Sequence, residues 1–206
     1  MIFLNLETTG LDPVKYGILS IGAVDTERTK NYHFYDEPRL EKGKEIDPYE
    51  LKNKGFVEHK ARDPSKRRLR DVLKRFMIWT RDCKVVTLAG QNPARLAPFL
   101  KESIEKYGME WVFGDKYVDL YTTAVNSYNR EGIKIPMKKR RYDLDFDAIL
   151  WSVGLERSVG IHSSLEDAFL EAEAYFRLEI GSRKFKNFGP FEEIRNFKDY
   201  KLKSIR

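Results

Sequence analysis

The chain has 206 residues, 34% of them charged and 41% hydrophobic, with a net charge of +6, ordinary values for one globular domain with a heavily charged surface. No apolar run reaches the ~18–20 residues of a membrane span, and the N-terminus is expected to enter the fold directly, without a signal peptide. Cys83 is the single cysteine, which excludes an internal disulfide and a Cys-based zinc site, so a cytoplasmic (intracellular) protein with no membrane partner is expected.

In chain order, Ile2, Phe3, Leu4 and Leu6 form a short apolar run that predicts a buried strand. Asn5 and Glu7 are two apart and share one face of it. They mark either a site or the wet face of a sheet edge. Thr8-Thr9-Gly10 ends the strand, and Asp12-Pro13 signals a turn. Ile18–Asp25 and Asn31–Tyr35 read as the second and third strands, with Thr26–Lys30 as the turn between them. A polar stretch from Asp36 to Ser65 leads to a helix whose apolar face is Leu69, Val72, Leu73, Phe76 and Met77. A strand at Val85–Ala89, a helix near Ala94–Tyr107, a strand end at Asp119-Leu120-Tyr121 with a helix to Asn129, and a short helix at Leu144–Val153 follow. In the last helix Ala168, Phe169, Ala172, Tyr175 and Phe176 recur at helical spacing, and Gly181 suits its stop.

Three segments carry a family resemblance. Ile2-Phe3-Leu4-Asn5-Leu6-Glu7-Thr8-Thr9-Gly10 resembles the first motif of the DEDDh 3′–5′ exonucleases, the polymerase proofreading-subunit family, where the strand reads apolar-Asp-x-Glu-Thr-Thr-Gly. His162-Ser163-Ser164-Leu165-Glu166-Asp167 resembles the last motif, a His followed by an Asp early in a helix. Val85–Asn92 resembles the strand ending Gly-His-Asn, and Phe99-Leu100 fix the register of the helix after it. The resemblance runs from about Ile2 to Gly181. It implies an α/β, ribonuclease H-like exonuclease fold, with a mixed sheet flanked by helices.

The same resemblance assigns roles. Glu7 and Asp167 stand at metal-holding and catalytic positions, and His162 stands where the family places its general base, a role that suits imidazole. Asn5 takes the position of the metal-bridging Asp, Leu96 that of another carboxylate, and Gln91 that of the His in Gly-His-Asn. The backbone around Thr8 and Thr9 and the side chain of Asn92 become candidates to contact a terminal nucleotide. A two-metal clamp holds its ions about 3.5–4 Å apart, and Mg²⁺ is gripped chiefly by carboxylate oxygens. Two carboxylates in place of four predict that Mg²⁺ or Mn²⁺, if bound, is bound weakly through Glu7, Asp167 and the uncharged amide of Asn5. Asp12 and Glu166 are the local carboxylates that could compensate, though neither sits at a family metal position.

Residues 1–181 are expected to form the exonuclease-like domain and 182–206 a basic, aromatic-rich extension. That extension holds eight Lys or Arg against three Glu or Asp. Its Phe and Tyr residues can stack on bases, but docking onto the domain is the favoured reading. Basic clusters at Lys66-Arg67-Arg68-Leu69-Arg70 and Lys138-Lys139-Arg140-Arg141 suit a polyanion partner and also suit a solvated surface. The partner expected is a single-stranded DNA or RNA 3′ end, with a protein partner as the alternative. Three readings stand: a nucleic-acid-binding family member with a degenerate, weak or inactive metal site; an active 3′–5′ exonuclease that tolerates Asn5 and Leu96; and an exonuclease inactivated by an engineered change. Two unlike losses favour the first.

Overall fold

The computed structural model describes residues 1–53, 57–158 and 163–200. Five strands form one sheet: β1 (Ile2–Thr8), β2 (Ile18–Asp25), β3 (His33–Asp36), β4 (Leu88–Gly90) and β5 (Val118–Asp119), in the order β3-β2-β1-β4-β5. β1 pairs antiparallel with β2, and β2 with β3, while β4 lies parallel to β1 and β5 parallel to β4. The helices are α1 (Pro48–Asn53), α2 (Glu58–Ala61), α3 (Leu69–Thr80), α4 (Pro93–Lys106), α5 (Leu120–Arg130), α6 (Phe146–Ser152) and α7 (Ser164–Ile180). The sheet is therefore mixed and flanked by helices, as the sequence leads one to expect.

The alternation of β1 divides the core. Ile2, Leu4 and Leu6 join a cluster with Leu69, Leu73 and Phe76 of α3 and Leu96 and Leu100 of α4. Phe3 faces the other way, into a cluster with Ala168 and Ala172 of α7. With a period of two, Asn5 and Glu7 follow Phe3 onto the α7 side. The ladder slips between Glu7 and Thr8, an irregularity that ends regular pairing at the carboxyl end of the strand.

α7 is fixed at both ends. Ser163 caps it by accepting from the Glu166 N–H at 3.1 Å, and Gly181 ends it at φ 70°. Its first turn lies so close to β2 that a Cβ on Gly22 would fall 2.2 Å from the Ser164 backbone. Glycine at position 22 thus sets how deeply the helix seats on the sheet.

Three local expectations change. The strand expected from Val85 begins at Leu88, although Ile2 N still donates to Thr87 O at 3.0 Å. The third strand starts at His33, because Asn31 adopts a left-handed φ of 49° that prolongs the turn. Lys138–Arg141, read as a basic cluster, forms the tip of a small hairpin, β6 (Met137–Lys138) and β7 (Arg141–Tyr142). Its central residues Lys139 and Arg140 have φ of 47° and 64°, the geometry of a tight primed turn.

Residues 182–200 lie along the domain. Glu173 on α7 accepts from the backbone N–H groups of Lys184 and Phe185, both at 2.9 Å. The buried Arg177 bonds Glu173 at 2.7 Å and reaches Gly189 O at 2.7 Å and Val153 O at 2.8 Å. Phe185 stacks with Tyr32, and Phe197 is buried against Tyr128 and Trp151.

Candidate nucleic-acid site at the carboxyl end of the central strand

β1, the turn after β4, the start of α4 and the first two turns of α7 enclose a cleft of about 260 Å³ at the carboxyl end of β1, where open α/β sheets commonly bind ligands. Asn5, Glu7, Gln91, Leu96, Arg157, Asp167 and Glu171 line it, with Arg95 and Phe146 on its walls. The cleft thus gathers Asn5, Glu7 and Asp167, as the sequence motifs imply, and adds Glu171 and Arg157, which belong to none of those motifs.

Glu171 stands one helical turn beyond Asp167 and is fully buried. Asn5 Nδ2 donates to its Oε1 at 2.9 Å. Its Oε2 completes no hydrogen bond of ordinary geometry among the described residues. It lies against Gly90, whose φ of 146° and missing side chain leave the room: a Cβ there would fall 2.5 Å from Oε2 and 3.1 Å from Leu4 O. Burial raises the Glu171 pKa well above the usual carboxylate value. Asp167 adds to this, while Asn5 and the Gln91 backbone N–H oppose it.

Arg157, on the segment after α6, reaches back over the cleft. Its Nη2 donates to Asp167 Oδ2 at 3.1 Å, and its Nε stands 3.1 Å from Oδ1 of the same carboxylate. The latter contact is an ion pair rather than an aligned hydrogen bond. Asp147 lies 3.7 Å from Nε, and the guanidinium sits 4.6 Å over the Phe146 ring. Asp167, 4% exposed, therefore faces a fixed cation.

Among the described residues, the donors gathered here differ from the four-carboxylate set that a two-ion clamp uses. Glu7, Asp167 and Glu171 supply carboxylates, but Asn5 brings only an uncharged amide, whose N–H is spent on Glu171. Leu96, 4% exposed, belongs to the apolar core and offers no oxygen. Among the described residues no three His, Cys, Asp or Glu side chains group in a way that could hold a metal.

The remaining candidates divide. Thr8 and Thr9 are buried, and their hydroxyls serve the fold: Thr8 Oγ1 donates to Gly10 O at 2.8 Å, and Thr9 Oγ1 donates to Glu45 O at 2.6 Å while accepting from Gly17 N. The Thr9 N–H is taken by Gly17 O and its carbonyl by Asp47 N. Asn92 is exposed at the start of α4 in a left-handed conformation, φ 55°, and its side chain does not cap the helix. Its backbone N–H donates to Asp119 Oδ2 at 3.1 Å. His162 lies outside the described residues. Of the two carboxylates considered as substitutes, Asp12 accepts from Val14 N in a turn, and Glu166 is bonded by Ser158; neither lines the cleft. The first basic cluster is partly neutralised, since Lys66 pairs with Glu37 at 2.6 Å and Arg67 with Asp36 at 3.3 Å.

An antiparallel three-strand meander continued by parallel strands, with an acidic cleft closed by a C-terminal helix, is the architecture of a ribonuclease H-like exonuclease domain. The family model described as Exonuclease (RNase_T) matches residues 2–175, and the chain belongs to this exonuclease family. It is 28% identical over 202 residues to the PolC-type DNA polymerase III of Thermotoga petrophila, covering 96% of this chain but 13% of that polymerase. The chain thus spans about an eighth of the curated relative it matches. Among solved structures it resembles E. coli exonuclease I in complex with a 5cy-dT13 oligonucleotide (TM-score 0.68, 15% identity, 86% of this chain and 39% of that one). It also resembles the nuclease domain of 3′hExo, a DEDDh family member, bound to rAMP (TM-score 0.64, 15% identity, 94% of this chain and 96% of that one). At such identities these two likenesses establish the fold alone.

Proposed function

We propose that this chain binds the 3′ end of single-stranded DNA or RNA in the cleft between β1 and α7, and that its metal-dependent hydrolysis is weak or lost. The observation that carries this reading is the commitment of Asn5 to Glu171. The side chain at the family's bridging position is uncharged, and its donor faces a buried carboxylate. Affinity for Mg²⁺ follows the anionic oxygens offered to it, and Leu96 withholds one more. Binding of a strand needs cations more than metals, and the net charge of +6 and the exposed hairpin at Lys138–Arg141 supply them. Support also comes from the oligonucleotide bound to exonuclease I, a protein of the same fold.

The second reading, an active 3′–5′ exonuclease, has one observation in its favour: Glu171 brings a carboxylate to the cleft beside Asn5. One experiment separates them. A single strand labelled at its 5′ end is incubated with the chain and Mg²⁺ or Mn²⁺, and anisotropy reports binding while a gel reports shortening. Binding without shortening supports the proposal. Ladders formed at enzyme-like turnover favour the second reading. No binding at low salt points instead to a protein partner.

A further inference from the structure

Arg157 is the residue at which this cleft departs furthest from a metal site. The side chain is held on three sides. Asp167 takes two of its nitrogens at 3.1 Å, Asp147 lies 3.7 Å from Nε, and the Phe146 ring supports the guanidinium from 4.6 Å. A guanidinium fork matches a carboxylate in two-point contact far better than an ammonium does. Asp167 is buried, so its charge requires a nearby cation whatever the solvent contains. Across the cleft Glu171 Oε1 accepts from Asn5 Nδ2 at 2.9 Å.

Resting on the strand binding proposed for the cleft, we propose that Arg157 is its resident cation: it neutralises Asp167 in place of a divalent ion and makes strand-end binding independent of metal. The geometry leaves it able to hold an anion as well. Among the described residues its Nη1 carries no hydrogen bond, the side chain is 27% exposed, and Arg95 stands exposed on the same cleft. Two guanidinium groups on one small cleft suit a phosphate, which Arg grips through paired N–H donors. A divalent ion reaching Asp167 must first displace a side chain already paired there. The ligand class is thus a nucleic-acid phosphate, and the competing class is Mn²⁺ or Mg²⁺ itself.

The test uses the full chain, Mn²⁺ alone and a short labelled single strand as probes. Electron paramagnetic resonance should show the native protein leaving millimolar Mn²⁺ free, whereas Arg157→Gln, which removes the cation paired with Asp167, should bind one ion. Arg157→Lys keeps the charge but not the fork and should exclude Mn²⁺ as the native chain does. Anisotropy on the native protein should give the same strand affinity in EDTA and in Mg²⁺, within about twofold, and Arg157→Gln should weaken it in EDTA by about tenfold. Circular dichroism and a thermal melt verify that the variants are folded. If Arg157→Gln does not fold, the native measurements decide alone. Stoichiometric Mn²⁺ binding by the native chain, equal Mn²⁺ binding by native and Gln variants, or strand binding abolished by EDTA each overturns the proposal. Strand binding absent in both buffers at low salt overturns the functional reading instead, and the Mn²⁺ comparison still decides whether Arg157 keeps the ion out.

Discussion

Asn5 and Glu171, 166 positions apart in sequence, are joined by a single hydrogen bond of 2.9 Å that spans the floor of the cleft. The amide on the strand and the carboxylate on the helix act as one unit, because a buried acceptor deprived of its donor costs about 1–3 kcal/mol. Asn5→Asp alone would set a second carboxylate against Glu171, and like charges at such range disfavour each other's ionised forms. The single variant should therefore lose roughly 1–3 kcal/mol in EDTA, read from urea melts. The double exchange Asn5→Asp with Glu171→Gln keeps a donor facing an acceptor and should recover most of it. A single variant as stable as the native chain would show that the pair is not coupled.

Leu96→Asp is expected to be costlier. Leu96 lies in the apolar cluster with Leu100 and Phe99, and an unpaired carboxylate there loses several kcal/mol to desolvation. A melt midpoint unchanged by Leu96→Asp would place this residue outside the core. Restoring a family carboxylate at this helix position thus competes with folding, so activity assays of that variant must be normalised to the folded fraction.

Strand affinity should fall steeply with salt, since neutralising each phosphate releases counterions. Replacing Lys138, Lys139, Arg140 and Arg141 by Gln should flatten the logarithmic slope by roughly one unit for each phosphate that is no longer neutralised. Arg67 and Arg75, both paired with Asp36, should matter less. A slope that responds to Arg67→Gln and ignores the hairpin would locate the strand on the opposite assignment.

Arg177→Ala should destabilise the chain by about 3–5 kcal/mol, because it strands the buried Glu173 carboxylate. It also removes the bond to Gly189 O, so residues 182–200 should become sensitive to proteolysis before the rest of the domain melts. An unchanged melting temperature together with unchanged proteolysis would count against this role.

Cys83 should be chemically quiet. Burial pushes its thiol up to about 12, with Asp25 adding to the shift, and the thiolate is the reactive form. Its modification by Ellman's reagent at mildly alkaline pH should be slow in the native protein and fast after denaturation. Rapid native labelling would mean that the packing around it opens.

Much of this structure is legible in the residues. β2 occupies Ile18–Asp25 as its apolar run indicates, and the capping Ser163 and closing Gly181 bound α7. Period-two reasoning places Asn5 and Glu7 on one face, and the cleft contains both. Glu171 escapes notice for a physical reason. On a helix carrying Glu166, Glu173 and Glu179, one more glutamate reads as a solvated position, and only the closeness of β1 and Gly90 buries it. Arg157 is equally silent, since a lone arginine in a polar connection has no periodicity; Phe146, Asp147 and Asp167 give it meaning only in space. The β6–β7 hairpin is hidden because Lys-Lys-Arg-Arg carries charge but no alternation.

The absent side chain at position 90 also sets an order on change. With φ at 146° and Glu171 Oε2 within 2.5 Å of any added Cβ, Gly90 cannot be replaced while Glu171 keeps its place. Glu171 in turn cannot shorten without leaving the Asn5 amide in search of another acceptor. Substitutions at 5, 90 and 171 must then arrive in sequence or together, each unlocking the next. The cleft behaves as a ratchet, in which an acidic residue at position 5 calls for a change on the helix before one on the strand.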